Sequence, residues 1–303
     1  MLLANIKKPI LRLIPFIEGN EILIKKIEYF RGLYRYPNKM VGRKRLNTFN
    51  NNKVDALVFA AHPDDDVLGL GTILYRHRLN GDNIVIVFVT NGTARNGESW
   101  HIKKSVSKEI SEIRYKEAVK ALSLINISEE NIVCLGYPDK GSQRYLKNIS
   151  SDILNLIRNL NPHQIYAHCI EGGHGDHDFT SFVVKSICRK IEYTNLFEWA
   201  EYNPKQQLGT HDIKFLSTLK SKSQETKIVI SKEERRIKKE MLACHTSQNV
   251  EKHFLQGEAI RKADTSNFEW ELYEHCQFPN SKIKTIVKDY KKKLSKRNTR
   301  VVL

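Results

Sequence analysis

The 303-residue sequence predicts an α/β fold: a mostly parallel sheet with helices on both faces, plus basic helical N- and C-terminal extensions. Three observations carry that prediction. Short apolar runs rich in β-branched and aromatic residues recur through the middle of the chain, helical periodicity fills the intervals, and the chemically suggestive residues fall directly after the apolar runs.

Residues 54–60 (VDALVFA) read as a buried strand between Asn-rich polar sequence and His-Pro-Asp. A helix from about 66 to 79 follows, then NGDN as a turn and IVIVFVT (84–90) as a second buried strand. After a Gly-punctuated loop at 91–100, Ile110, Ile113, Ala118, Ala121, Leu122 and Ile125 mark a helix from about 107 to 125. A strand at 132–136, a helix at 148–160, a strand at 164–168 and a helix at 178–191 continue the alternation. Such alternation implies right-handed βαβ units, and in a sheet of that kind the ligand crevice lies beyond the carboxyl ends of the strands. Chemistry is therefore expected just after residues 60, 90, 136 and 168.

Charge divides the chain differently. Residues 1–53 hold 12 Lys/Arg against 3 Asp/Glu and residues 281–303 hold 9 against 1, so the net charge of +16 sits at the two ends and 54–280 is close to neutral. A nucleic-acid reader carries basic residues across its folded surface, so this distribution argues against one. The expected organisation is a basic amphipathic extension over 1–53, a catalytic domain over 54–280 and a basic helix or tail over 281–303. Five cysteines with no C-x-x-C pair read as reduced thiols of a cytoplasmic protein, and no apolar run approaches the ~18 residues of a membrane span.

Two of the four expected sites are rich in His and Asp. After the first strand, His62-Pro63-Asp64-Asp65-Asp66 crowds one imidazole and three carboxylates; burial and mutual repulsion would raise the carboxylate pKa values unless a cation compensates. Helix capping by Asp65 or Asp66 is a competing explanation for the acids, though not for His62. After the fourth strand, Gly172-Gly173-His174-Gly175-Asp176-His177-Asp178 places a second cluster on a Gly-rich turn at the same sheet edge. Together they supply His and carboxylate ligands of the kind a catalytic zinc site uses, with a position open to water. Cysteine is absent from both, which argues against a closed structural zinc.

The sequence resembles the PIG-L/LmbE-like zinc-dependent de-N-acetylases over about residues 54–250. The motifs that carry the likeness are AHPDDD at 61–66, VTNG at 89–92, R-x-x-E-A at 114–118, LGYPD at 135–139, GGHGDH at 172–177 and K-x-x-x-L-A-C-H-T-S-Q at 238–248. The resemblance implies a Rossmann-like fold, Zn2+ held by His62, Asp65 and His177, and Asp64 as general base. It also implies a protonated His174 for the oxyanion, Asp176 supporting the histidines, and substrate contacts from Asn91, Arg95, Arg114 and His245. Asp66 stands where the family carries Glu, and Cys169 follows His168 where Pro is common. Cys169 reads as a small core residue. For Arg114 the rival reading is an ion pair with Glu117 three positions on; for His245 it is a helix C-terminal histidine favoured by the dipole.

The expected function is removal of acetyl from an N-acetylated amino sugar in a glycolipid or surface-glycan precursor. A small soluble GlcNAc conjugate, such as a thiol-cofactor precursor, is the alternative substrate, and a non-catalytic membrane- or glycan-binding protein is the alternative of another class. Both ends suggest where an enzyme would work. Leu23, Ile27, Phe30 and Tyr34 form an apolar stripe among Lys25, Lys26, Arg31 and Arg35, as do Ile283, Ile286, Val287, Tyr290 and Leu294 among lysines. Such helices either lie on an anionic cytoplasmic membrane face or pack on the core.

Overall fold

The computed structural model describes residues 17, 20–31, 40–44, 53–94, 98–216 and 224–295. Its centre is a seven-stranded sheet in the order β3-β2-β1-β4-β5-β7-β6. β1 (Ala56–Ala60), β2 (Ile84–Thr90), β3 (Ile132–Tyr137), β4 (Gln164–His168) and β5 (Leu196–Ala200) run parallel. β7 (Ala259–Lys262) adds antiparallel to β5, and β6 (Glu225–Lys227) closes that edge antiparallel to β7. The predicted strand positions are thus met through residue 168; the antiparallel edge was not read from the sequence.

Among the described residues eight α-helices accompany the sheet: α1 (Glu21–Phe30), α2 (Asp65–Leu79), α3 (Lys104–Ser123), α4 (Leu146–Leu160), α5 (Gly175–Lys190), α6 (Lys232–Ala243), α7 (Phe268–His275) and α8 (Asn280–Ser295). The alternation within β1 divides them into two layers. Leu57 and Phe59 face a core built with Ile149 and Ile153 of α4, Phe182 of α5 and Phe268 of α7. Ala56, Val58 and Ala60 face the other way, toward Val67 and Leu70 of α2, Ala118 of α3 and Met241 of α6. Each buried Val, Leu, Ile, Met or Phe among these contributes roughly 1.5–3 kcal/mol relative to exposure, so β1 anchors both layers at once. Gly69 lets α2 close on the sheet: a Cβ there would lie 2.3 Å from the Trp199 ring. That glycine serves packing.

Because β1 is flanked by β2 on one side and β4 on the other, the connections leave it in opposite directions, and the loops after β1 and β4 border one crevice. Both His/Asp clusters occupy those loops.

The two terminal stripes, for which membrane and core packing were both open, differ from each other. In α8, Ile283, Ile286, Val287 and Tyr290 belong to the same core as Leu57 and Phe59, with Ile283 only 1% exposed, so this stripe packs on the domain and is not free to enter a bilayer. In α1 the buried face carries Ile24 and Glu28 while Phe30 is 84% exposed. The reason is polar docking: Glu28 accepts hydrogen bonds from Tyr145 Oη at 2.7 Å and from Arg144 at 3.2 Å. Tyr34 and Arg35 lie outside the described residues. No described helix is long and apolar enough to cross a membrane.

Candidate active site

α2 begins at Asp65, so the β1 carboxyl end and the first turn of that helix set His62, Asp64 and Asp65 on one short segment. Asp64 occupies the N-cap position at φ 150°, ψ −26°, a left-handed backbone that favours glycine, and its side chain makes no cap hydrogen bond. Capping therefore does not explain these acids. Asp65 Oδ2 instead accepts from the His62 backbone N–H at 2.7 Å and lies 3.1 Å from His62 Nδ1.

The second cluster arrives on the β4–α5 connection. Its glycines reflect crowding rather than flexibility, since a Cβ on Gly173 would sit 1.9 Å from the Tyr202 carbonyl oxygen. That close approach brings His177, in the first turn of α5, to the first cluster. His177 Nε2 is 3.3 Å from His62 Nδ1 and 3.3 Å from Asp65 Oδ2. The three atoms thus form a near-equilateral triangle with edges of 3.1, 3.3 and 3.3 Å. Ligands about 2.0–2.1 Å from a tetrahedral zinc stand about 3.3 Å apart, so one face of such a coordination shell fits these donors.

The surrounding groups support that arrangement. His62 Nε2 lies 3.3 Å from Asp139 Oδ1 and 3.5 Å from Asp176 Oδ2, which leaves Nδ1 for a metal and gives the other ring nitrogen carboxylate partners. Asp176 is itself fixed by the Ser142 hydroxyl and by the Lys140 backbone N–H at 2.6 Å. Burial alone would lower the His62 pKa, but Asp65 and Asp139 reverse this and hold it well above the usual value. The local field therefore favours positive charge. Burial would raise Asp65, yet His177 and His62 pull it well below the usual range, so it is a carboxylate suited to ligation.

Asp64 and Asp66 show the opposite effect. Burial lifts Asp64 to about 6 against the pull of Arg114, and burial with Asp64 and Asp65 lifts Asp66 to about 8. Asp66 is fully buried and neither of its oxygens has a hydrogen-bond partner.

Arg114 donates to Asp64 Oδ1 at 2.7 Å, to Pro63 O at 3.1 Å and to Gly92 O at 2.6 Å. The pairing with Glu117 does not form; Glu117 accepts from Ser247 N at 2.8 Å and from the Ser247 and Thr246 hydroxyls at 2.7 Å. His174 caps α5, its Nδ1 accepting from Asp176 N–H at 3.2 Å, which puts the ring proton on Nε2. Burial, followed by the charge on His62, lowers its pKa to about 4.

A pocket of about 240 Å³ opens on this constellation, with His62, Asp64, Asp65, Arg114 and His174 in its wall. Other expected contacts sit apart from it. Asn91 accepts from Thr93 N at 3.3 Å and Thr93 Oγ1 at 3.0 Å, bracing the loop after β2. His245 is buried beyond the end of α6 with neither ring nitrogen partnered, and burial lowers its pKa to about 4. Arg95 lies outside the described residues. Cys169 packs with Ala200, Ile213, Phe215 and Ala259 as a core residue.

Three residues that sequence reasoning did not single out complete the site. Asp139 ends the LGYPD motif, so its signal was present. His168 stacks on His177 with centroids 4.1 Å apart and accepts from Ala61 N–H at 3.0 Å. Its proton is therefore on Nδ1, which lies 3.6 Å from Glu201 Oε2. His168 ends an apolar strand, and Glu201 follows a strand that the sequence did not reveal.

Comparison with known proteins bears on the family and the fold. The PIG-L family, described as GlcNAc-PI de-N-acetylase, matches residues 57–188. Among curated proteins none matches. A deacetylase of teicoplanin biosynthesis, solved as its teicoplanin complex, superposes with a TM-score of 0.54 at 17% identity, covering 70% of this chain and 100% of that one. The A40926 pseudoaglycone deacetylase gives 0.50 at 18% identity, covering 65% and 83%. A zinc-inhibited form of teicoplanin deacetylase gives 0.52 at 15% identity, covering 69% and 97%. At these identities the likeness establishes a shared fold. Sequence and fold agree, and residues 57–188 of this chain are a PIG-L family domain of the de-N-acetylase type.

Proposed function

We propose that the chain is a zinc-dependent hydrolase that removes acetyl from an N-acetylated amino sugar within a glycolipid or surface-glycan precursor. The observation that carries this reading is the triangle of His62 Nδ1, Asp65 Oδ2 and His177 Nε2, with Asp64 beside it in the pocket wall. Zinc held there supplies a Lewis acid and lowers the pKa of water toward neutrality.

The chain's own groups do the rest. Arg114 fixes Asp64 Oδ1, leaving Oδ2 to take a proton from the attacking water. His174, with its proton on Nε2, donates to the oxygen that gains charge as the acetamide carbonyl is attacked. When the amide C–N bond breaks, the proton on Asp64 passes to the departing sugar amine and acetate is released. Asp139 and Asp176 keep the His62 ring in place throughout.

An acetate-release screen over N-acetylated sugar conjugates, soluble and lipid-linked, tests the proposal. Release from a lipid-linked amino sugar is the expected result, whereas release confined to small soluble conjugates would overturn the substrate assignment. Deleting the two ends would not decide the matter, because α8 is part of the core.

A further inference from the structure

We infer that the outer face of α1, together with the exposed lysines at the start of α3, is a docking surface for an anionic lipid bilayer. The inference extends the glycolipid reading of the site, and its test does not depend on turnover. α1 is docked inside out. What it buries at the domain is a carboxylate: Glu28 is fully buried against Arg144 and Tyr145 Oη, and Glu21 pairs with Lys282 Nζ at 2.8 Å. Of its apolar residues Ile24 alone is buried, while Ile22 is 71% and Phe30 84% exposed. Ile22, Lys26, Tyr29 and Phe30 are all exposed and recur at helical spacing, so they share one face. Core packing does not account for three large apolar side chains turned to solvent together on a helix held by ion pairs; an apolar partner does.

Charge and position select the partner. Arg31, just past α1, donates to Trp100 O at 2.9 Å and to Ile102 O at 2.6 Å, which sets the helix end against the segment that opens α3. There Lys103, Lys104, Val106 and Lys108 are exposed against a single exposed carboxylate, Glu109. The acids of α1 and the neighbouring loop are already neutralised, since Glu28 and Glu98 meet Arg144, and Glu21 and Glu98 meet Lys282. The result is a surface of apolar side chains interleaved with lysines, the pattern that lies on anionic headgroups with its apolar groups in the acyl boundary. It stands at the sheet edge that carries the pocket: α3 follows β2, and Arg144 and Tyr145 come a few residues after Asp139 and Lys140 of the pocket wall. Docking through this face brings the rim of the crevice to headgroup level, where the sugar of a glycolipid stands.

The test is flotation of the full, zinc-loaded chain with vesicles of phosphatidylcholine alone and of phosphatidylcholine mixed equally with phosphatidylglycerol. The wild type is expected to float with the mixed vesicles and not with the neutral ones. Ile22→Ser combined with Phe30→Ser should weaken that binding about tenfold or more, and Lys103→Gln combined with Lys104→Gln roughly fivefold for each lysine. Val229→Ser, at an 85% exposed position held beside Arg76 at the far end of α2, should leave it unchanged. Tm and zinc content verify that each variant is folded. Three results overturn the proposal: no flotation of the wild type, equal flotation with both vesicles, or flotation that survives in both double variants, as when other basic segments of the chain carry it. A wild type that ignores vesicles but self-associates, and becomes monomeric in the Ile22/Phe30 variant, would give the face to a second copy and overturn it as well. Failure to float leaves the reaction standing, and flotation by a chain that releases no acetate would count against the reaction and not against the docking face.

Discussion

Two of the buried charge clusters among the described residues differ in one respect: one lines a pocket and the other does not. Beside β5, Lys185 Nζ bridges Glu198 and Glu271, the latter at 2.7 Å, and Arg261 Nε donates to Glu198 at 2.6 Å. Two cations meet two carboxylates and the cluster is electrically closed. At the β1/β4 crevice, Asp64, Asp65, Asp66, Asp139 and Asp176 are all buried, yet the one guanidinium that meets them is Arg114 on Asp64. Histidines fill the remaining positions, and His177 Nδ1 and both carboxylate oxygens of Asp66 lack hydrogen-bond partners. Burying charge is tolerated where the protein supplies the countercharge. Where it supplies an excess of carboxylates and uncommitted imidazoles, a metal ion completes the balance.

The sharpest way to break this contrast is to remove the metal or one of its ligands. Chelation, or His62→Ala, should abolish acetate release together with bound zinc, as read by metal analysis. A His62→Ala protein that keeps both would sink the ligand assignment. Next in size, Asp64→Asn should keep its zinc but lose about 10²- to 10⁴-fold in acetate release, the range for a general base. Full turnover by that variant would remove Asp64 from its role.

The closed cluster should respond in stability rather than in chemistry. Glu198→Ala leaves Lys185 and Arg261 with a buried deficit of negative charge and should cost about 3–5 kcal/mol in denaturant unfolding. An unchanged midpoint would mean that the network is dispensable. Smaller still is the contrast between the two terminal helices. Ile283→Ala should destabilise by about 2–5 kcal/mol, whereas Phe30→Ala, at an exposed position, should stay within about 0.5 kcal/mol. Equal effects would contradict the packing of α8 on the core.

The same contrast explains what was legible in the sequence. β1 and β2 are uninterrupted apolar runs, because both faces of a parallel strand are covered by helices, and their predicted positions hold to within two residues. β5 (LFEWA) and β7 (AIRK) carry Glu198 and Arg261 in their interiors, so neither stands out as an apolar run. Those charges can be buried only because Lys185 and Glu271 come from α5 and α7, a meeting that no local pattern displays. β6 is three polar residues at a sheet edge and offers no apolar signal. In the site, His62, Asp64, Asp65, His174, Asp176 and His177 lie in short motifs and were readable. His168 and Glu201 were not, since a single His or Glu at a strand end looks like any other.

By itself the sequence determined the alternation of strands and helices, the edge of the sheet where chemistry belongs, and which side chains are present there. Local periodicity and chain direction suffice for that. The tertiary structure alone decided that Nδ1 of His62 and Nε2 of His177 converge on Asp65, that Arg114 holds Asp64 rather than Glu117, and that the α8 stripe belongs to the core. Each depends on distances between segments far apart in the chain, and these are fixed by how the two layers pack against β1.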